Sequence, residues 1–153
     1  MNDNLLIRTA GPDDAAAVAR VTRAAYARWV PLLGREPLPM TADYDKAVVE
    51  HRIDLFEDAD ELVALAEFDA QPDHLLIVNF AVAPDHQGQG LSRVLLAHAE
   101  AVARSLGLKE LRLYTNGRMA ANIRLYAAAG YKVTNEEMRG PDWVVVYMAK
   151  RLD

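Results

Sequence analysis

The residues of this sequence best suited to chemistry include a glycine-rich stretch, PDHQGQGLSRVLL, at positions 84–96. Gly88 and Gly90 directly precede apolar residues that recur at helical spacing. The first N–H groups of a helix lack partners within the helix and carry the positive end of its dipole, and glycine lets a ligand approach the main chain. Amides around Ser92 and Arg93 could therefore hold a pyrophosphate. Two glycines before a helix can also form an ordinary tight turn, and the stretch matches neither the P-loop nor the dinucleotide fingerprint.

A second candidate group lies in ANIRLYAAAG, at positions 121–130. The length of this segment and its closing glycine predict a short helix. Asn122 and Tyr126 stand four residues apart, so they share one face of that helix. A tyrosine hydroxyl can donate a proton during catalysis. An aromatic residue on an amphipathic helix also suits a hydrophobic core, so the residues alone leave both roles open.

Composition and charge exclude several classes of function. The 153 residues include no cysteine, which rules out disulfides, thiolate nucleophiles and cysteine metal sites. A formal net charge of −5 without a basic block argues against nucleic-acid binding. His51, His86 and His98 are scattered, so no metal site is expected. No run of about 18 apolar residues occurs, and the start of the chain does not resemble a signal peptide. We therefore expect one cytoplasmic domain, 1–153, that has no membrane contact.

The elements that must position these residues follow from hydrophobic periodicity and turn residues. Pro12 and the aspartates after it favour the start of a helix, and Thr41 could cap a second one. Strands are predicted at 5–10, 52–58, 61–68, 75–82, 109–115, 131–134 and 143–150, and helices at 12–29, 41–49, 91–106 and 121–130, with a proline-rich loop at 31–39. This order predicts a mixed α/β domain.

Residues 78–131 resemble the GCN5-related N-acetyltransferase family. That family carries a strand, an Arg/Gln-Gly-x-Gly-x-Gly/Ala loop and a helix, and later an asparagine, a tyrosine four residues on, and Gly-Phe or Gly-Tyr. The matching residues are Gln87, Gly88, Gln89, Gly90, Leu91 and Ser92, then Asn122, Tyr126, Gly130 and Tyr131; the serine stands where the family has glycine or alanine. The resemblance implies an α/β (α+β) fold with a mixed, mostly antiparallel sheet. We expect about six to seven strands with a splayed central pair, flanked by about four helices.

The resemblance further implies that acetyl-coenzyme A is the cosubstrate and that no metal takes part. The loop amides would hold the pyrophosphate, and a main-chain N–H within 80–82 would polarise the thioester carbonyl. Tyr126 would protonate the leaving thiolate, and Asn122 would contact the cofactor arm. The implied cofactor-binding residues are Phe80, Ala81, Val82, Gln87, Gly88, Gln89, Gly90, Leu91, Ser92, Arg93 and Asn122.

The implied activity is direct acetyl transfer, in a ternary complex, to a primary amine of a small molecule or a protein. By the same analogy Tyr26, Trp29 and the loop 31–39 would border the acceptor pocket, although Trp29 could equally fill the core. Two other functions stay open: a non-catalytic acyl-CoA sensor or scaffold, and an α/β domain whose loop binds nothing. A homodimer through the apolar stretch 143–148 is a further expectation, although that stretch would also suit an interior strand.

The sequence departs from the family at the general base. Similar family members often carry a glutamate in the central strand before an asparagine, where this chain has Val78 before Asn79. Glu67, Asp69 or His74 could act instead through a water molecule, and each could equally be a solvated surface residue. The missing glutamate is the feature that favours the sensor alternative.

Overall fold

A seven-stranded sheet forms the centre of the structure, a computed structural model that describes residues 5–153. In chain order the strands are β1 (Leu6–Thr9), β2 (Arg52–Asp58), β3 (Glu61–Ala70), β4 (Leu75–Val82), β5 (Glu110–Asn116), β6 (Lys132–Gly140) and β7 (Trp143–Arg151). They lie side by side in the order β1-β2-β3-β4-β5-β7-β6. Only the β4–β5 pair is parallel, because the chain crosses over between these two strands through a helix.

Helices cover both faces of the sheet. They are α1 (Ala15–Tyr26), α2 (Val30–Leu33), α3 (Leu38–Thr41), α4 (Tyr44–Glu50), α5 (Leu91–Ser105) and α6 (Ala120–Ala128). Helices α5 and α6 pack over one face in a core with Phe56, Phe68 and Met148, whereas α1 and α4 pack over the other in a core with Leu55 and Leu65. Four of these helices are longer than one turn. The predicted fold class, a mixed and mostly antiparallel sheet flanked by about four helices, is confirmed.

The central strands separate part-way along their length. β4 pairs with β5 only at Leu75–Leu111 and Leu76–Arg112, which confirms the predicted splayed pair. A bulge lies just beyond this point, because Val78 has no counterpart on β3. The extra residue interrupts the side-chain alternation of the strand. Ile77 and Phe80 therefore both pack on the α5 side of the sheet, three residues apart.

Three predicted boundaries differ from the structure. Thr41 does not cap a helix; it ends α3, where its hydroxyl donates to the Leu38 carbonyl. The cap of α4 is Asp43, whose carboxylate accepts the Lys46 amide at 3.2 Å, and aspartate is a strong competitor for this position. The region predicted as a loop, 31–39, contains α2 and the start of α3, and each of these helices has a proline in its first turn. The first helix ends at Tyr26 and continues to residue 29 only as a 3-10 turn.

The two ends of the sheet are β1 and β6. β6 extends well beyond the predicted strand 131–134. The sequence does not reveal this extension because almost all side chains of β6 are exposed, so they show no alternation of apolar and polar residues. The apolar stretch 143–148 lies in β7, between β5 and β6, so it occupies the interior position that the sequence also allowed. Within residues 5–153, no helix is long and apolar enough to cross a membrane.

A buried carboxylate fastens β2 to α5. Asp54 accepts hydrogen bonds from His98 Nε2 at 2.7 Å, Arg52 Nε at 3.0 Å and Thr9 Oγ1 at 3.0 Å. Burial disfavours the charged form of Asp54, but these hydrogen bonds, led by that from His98, outweigh burial and lower its pKa. The ionised carboxylate therefore stabilises the fold.

Candidate active site

The glycine-rich stretch forms a loop that leads from β4 into α5. Gly88 and Gly90 have φ angles of +80° and +83°, in the left-handed region that favours glycine. Gly90 is the N-cap of α5 and has no side chain with which to cap it. The Gly90 carbonyl accepts from the Arg93 and Val94 amides. The earlier amides of the helix therefore remain available to an anion, together with the positive end of the dipole.

A small cavity of about 240 Å³ opens in front of this loop. It lies between the loop, the outer part of β4, the end of α1 and helix α6. The residues that line it and were predicted to bind the cofactor or act in catalysis are Phe80, Val82, Gln87, Gly88, Gly90, Leu91, Ser92, Arg93, Asn122 and Tyr126. Two segments that are distant in the sequence, 78–93 and 122–126, thus face the same space.

The main chain of β4 points into the gap between the splayed strands at alternate residues. The Ala83 amide donates to the Val63 carbonyl at 2.9 Å, so the odd-numbered residues 79, 81 and 83 bond to β3. The main-chain groups of Phe80 and Val82 consequently face the other way, toward the gap. An extended ligand could pair with them as an added strand would.

Two side chains already bind the carbonyls on this side of β4. The Tyr26 hydroxyl donates to the Phe80 carbonyl at 3.2 Å. Gln87 Nε2 donates to the Val82 carbonyl at 2.9 Å. The first bond ties the end of α1 to the strand, and the second ties the glycine loop to it, so both walls of the small cavity are fixed relative to β4.

A large cavity of about 760 Å³ lies on the side of the sheet that α1 and α4 cover. Tyr26, Phe80, Asn122 and Tyr126 line both cavities. The two spaces therefore meet at these four residues. Volumes of this size are typical of sites for small molecules.

Tyr126 stands at the junction of the two cavities. Its ring packs edge-on against the Tyr131 ring, with centroids 5.9 Å apart. Burial raises the pKa of Tyr126 to about 12. The hydroxyl is therefore protonated throughout the neutral pH range and can donate a hydrogen bond to a group in either cavity.

A buried carboxylate lies in the wall of the large cavity. The Glu67 side chain is 4 % exposed and accepts a hydrogen bond from His51 Nδ1 at 2.7 Å. Burial raises the pKa of Tyr26, Tyr44 and Tyr114, and the negative charge of Glu67 raises each of them further. Glu67 therefore affects tyrosines from three different elements around the cavity.

The roof of the large cavity joins two distant segments. The guanidinium of Arg35, between α2 and α3, lies 3.5 Å from the centre of the Trp143 ring at the start of β7. Arg118 donates to the Leu32 carbonyl at 3.4 Å and to the Asp142 carbonyl at 3.1 Å. The proline-rich region 31–39 is therefore held against the β6–β7 turn. Among residues 5–153, no group of three or more potential ligand side chains could hold a metal ion.

Comparison with known proteins gives the same assignment as the motifs. A family model described as the acetyltransferase (GNAT) family matches residues 19–131. The chain belongs to the GNAT acetyltransferase family. The mycothiol acetyltransferase of Cellulomonas flavigena is 32 % identical over 114 residues, which are 72 % of this chain and 32 % of that protein. The family predicted from the sequence is therefore confirmed.

Solved GNAT structures share the fold over almost the whole chain. The PaiA N-acetyltransferase of Thermoplasma acidophilum was solved in complex with coenzyme A and has a TM-score of 0.81 at 17 % identity. The similarity covers 96 % of this chain and 98 % of that one. The ribosomal-protein-S18-alanine N-acetyltransferase of Escherichia coli has a TM-score of 0.77 at 21 % identity, with 97 % of this chain and 94 % of that one covered. At these identities the likeness concerns the fold.

Two of the predicted cofactor residues of this GNAT chain lie outside the small cavity. Ala81 is 2 % exposed and packs in the core on the α1 side. Gln89 is exposed and does not line the cavity. The structure also adds Arg28 and His86 to the walls of this cavity. Neither was predicted, and Arg28 belongs to no motif, because only the packing of α1 over β4 brings it there.

Of the residues predicted to border the acceptor or to act as the base, some line the large cavity and others do not. Tyr26 lines both cavities, whereas Trp29 lines only the small one. Of the three candidate bases, only Glu67 lines the large cavity. Asp69 lies behind it, 3.7 Å from His51 Nε2. His74 is bound to Asp73 at 2.7 Å, away from both cavities.

Proposed function

We propose that this protein is an acetyl-CoA-dependent N-acetyltransferase that moves the acetyl group directly to a primary amine. The observation that carries the proposal is the junction of the two cavities at Tyr26, Phe80, Asn122 and Tyr126. One cavity suits a pyrophosphate and an extended arm, and the other suits a small organic acceptor. Two reactants bound in joined cavities can react without an intermediate carrier, and the chain has no cysteine thiol to serve as one.

The small cavity offers matching groups to each part of acetyl-CoA. The amides at the start of α5 and the guanidinium groups of Arg28 and Arg93 suit the phosphates. The main-chain groups of Phe80 and Val82 suit the amides of the pantetheine arm. A main-chain N–H in this stretch would also polarise the thioester carbonyl, a contact whose loss costs other acyl-transfer enzymes about 3 to 4 kcal/mol. Bound acetyl-CoA would supply the acetyl group as a reactive thioester.

Tyr126 would assist the departure of the sulfur. A thiol has a pKa of about 8.5, so a hydroxyl whose pKa is about 12 is the weaker acid of the two. It therefore assists mainly as a hydrogen-bond donor that stabilises the negative charge developing on sulfur. Asn122, four residues earlier on the same helix, lines both cavities and would hold the arm in line with this hydroxyl.

The alternative function is an acyl-CoA sensor or scaffold without turnover. Val78 favours it, because this position lacks the strand glutamate of similar family members. The buried carboxylate of Glu67 in the large cavity supports catalysis instead. The Cellulomonas relative is named for mycothiol, but the match covers 32 % of that protein. We therefore base the acceptor class on the cavity.

The test is release of free thiol from acetyl-CoA in the presence of an amine panel. The panel contains an alkylamine, an aralkylamine, a diamine, an amino acid and a lysine peptide. An N-acetyltransferase releases thiol and forms the amide in equal amounts with at least one amine. A sensor binds coenzyme A in a calorimetric titration but releases no thiol above background hydrolysis. A chain whose loop binds nothing gives no heat with coenzyme A.

A further inference from the structure

We propose that Glu67 receives the acceptor amine as an ammonium ion and takes its proton, and that His51 positions the Glu67 carboxylate for this role. The inference rests on the proposed function, since it names the base and the charge state of the acceptor for the same site. It predicts that cationic primary amines are better substrates than neutral ones.

The position of Glu67 follows from the register of the sheet. Glu67 on β3 lies directly opposite Asn79 on β4, and both residues are almost fully buried and line the large cavity. The family pattern would place a glutamate at Val78, whereas here a carboxylate comes from the neighbouring strand. The bulge at Val78 shifts the register of β3 and β4, so that Glu67 pairs with Asn79 instead of Val78, at a point where β4 no longer pairs with β5.

A second buried group in the same wall lacks a partner. Asn79 Nδ2 donates to Thr22 Oγ1 at 3.2 Å, but Asn79 Oδ1 has no hydrogen-bond partner among the described residues. A buried acceptor left without a partner is destabilising, so a ligand that donates to it gains affinity. An ammonium group has three donors, so one bound at Glu67 could also satisfy Asn79. A neutral amine has fewer donors and no charge, so it would match this pair of acceptors less well, and an anionic ligand would be repelled by Glu67.

His51 lines the large cavity beside Glu67 and holds its carboxylate. It follows directly after α4, and its amide donates to the Ala47 carbonyl at 2.8 Å. Its ring lies between two carboxylates: Nδ1 donates to Glu67 at 2.7 Å and Nε2 lies 3.7 Å from Asp69. The ring therefore fixes which oxygen of Glu67 remains free to face the cavity.

The other charges around the cavity leave the role of Glu67 unopposed. Tyr26 of α1, Tyr44 of α4 and Tyr114 of β5 line the same cavity as Glu67 and carry neutral hydroxyls, because burial raises their pKa values. The cationic side chains that line this cavity are Arg35, stacked on Trp143, Lys46, 3.9 Å from Glu50, and Arg139, which donates to the Tyr147 hydroxyl. The buried end of the cavity is thus anionic and is bounded by aromatic rings, which is a favourable setting for an ammonium ion.

The bonds and protons balance as follows. The ammonium ion transfers one proton to the Glu67 carboxylate, and the freed lone pair forms the bond from nitrogen to the acetyl carbon. The bond from carbon to sulfur breaks, and its electron pair leaves on sulfur. The second proton of nitrogen passes to the sulfur, beside the Tyr126 hydroxyl, so that coenzyme A leaves as the free thiol. Glu67 returns the first proton to water when the amide leaves.

The decisive experiment compares two acceptors in the parent protein and in Glu67→Gln. An alkylamine has a pKa near 10.4, so only about one molecule in 2,500 is neutral at pH 7, whereas an arylamine is already neutral. We expect Glu67→Gln to lower kcat/KM for the alkylamine about 100-fold or more and to change that for the arylamine several-fold at most. Raising the pH toward 10 should restore much of the alkylamine activity of the variant.

A matched pair of histidine variants separates positioning from folding. His51→Asn should lower kcat for the alkylamine about 10-fold and shift the acidic limb of its pH profile, with coenzyme A affinity unchanged. His74→Asn removes a histidine–aspartate contact of the same 2.7 Å length outside both cavities and should change neither quantity.

The outcomes of these experiments are distinct. Equal losses on both amines in Glu67→Gln, or no loss, would overturn the base while leaving acetyl transfer intact. A parent protein that binds coenzyme A but acetylates no amine would overturn both proposals.

Discussion

Exchanging Tyr126 for phenylalanine isolates one oxygen atom at the junction of the two cavities. The ring contact with Tyr131, 5.9 Å between centroids, is retained by phenylalanine. The variant should therefore keep the stability of the parent to within about 0.5 kcal/mol. Only the hydrogen-bond donor to the leaving sulfur is lost, and loss of one such donor to a developing negative charge typically costs about 10²- to 10³-fold in rate. We expect kcat to fall at least about 100-fold while the Kd for coenzyme A changes little.

Tyr131→Phe is the matched control for this substitution. The Tyr131 hydroxyl is buried and has no hydrogen-bond partner within residues 5–153, and Tyr131 lines neither cavity. Removing a buried polar group without a partner relieves a desolvation cost of about 1 to 3 kcal/mol. For a chain of this size each kcal/mol raises Tm by about 2 to 4 °C. Tyr131→Phe should therefore be more thermostable and fully active.

The assay for both variants is initial thiol release at saturating acetyl-CoA and amine, with calorimetric melting on the same samples. The reasoning predicts opposite results from two substitutions that each delete one hydroxyl from neighbouring rings. Equal activity in the two variants at every pH would remove Tyr126 from the mechanism. A large loss of Tm in Tyr126→Phe would instead identify its hydroxyl as structural.

The remaining predictions concern the loop, the buried carboxylate and the cavity roof. Gly88→Glu and Gly107→Glu place the same residue at φ +80° and +73°, so each should lower stability by about 1 to 2 kcal/mol through backbone strain. Only Gly88→Glu should weaken coenzyme A binding, by about 10-fold or more in a calorimetric titration. An equal effect of both substitutions on binding would refute the loop site. Asp54→Asn should lose about 1 to 3 kcal/mol at pH 7. Folding lowers the pKa of Asp54, so its stabilisation is present above the unfolded value of about 3.9 and is lost as pH falls through the lower folded value. The urea midpoints of variant and parent should therefore converge as the pH is lowered below about 3.9, and a constant difference would contradict this. A Cβ at Gly140 would overlap the Trp143 ring, so Gly140→Ala should displace the roof of the large cavity. We expect KM for the amine to rise and Kd for coenzyme A to stay the same. An unchanged KM would show that the roof does not contact the acceptor.

Much of the lining of the small cavity could be predicted from the sequence, because these residues are close together in the chain. The loop 87–93 is defined by two glycines and the helix that follows them, and these interact over a few residues. Asn122 and Tyr126 share a face through the helical period alone. Ala81 was misplaced relative to the cavity because adjacent residues of a strand face opposite ways.

The acceptor side could not be predicted in the same way. Glu67 and Asp69 have the same parity on β3, so alternation alone cannot tell them apart. What separates them is the pairing of Glu67 with Asn79 across β3 and β4. That pairing depends on the bulge at Val78, which no local pattern marks.

The sequence by itself determined the family, the order of elements and the glycine-rich loop that leads into α5, since the loop and the elements depend on residues close in the chain. Tertiary structure alone decided that the two cavities meet at Tyr126 and that Glu67 faces one of them. The physical reason is that α1, β3, β4 and α6 lie far apart in the sequence, and their relative positions are set by burial of two cores and by strand register.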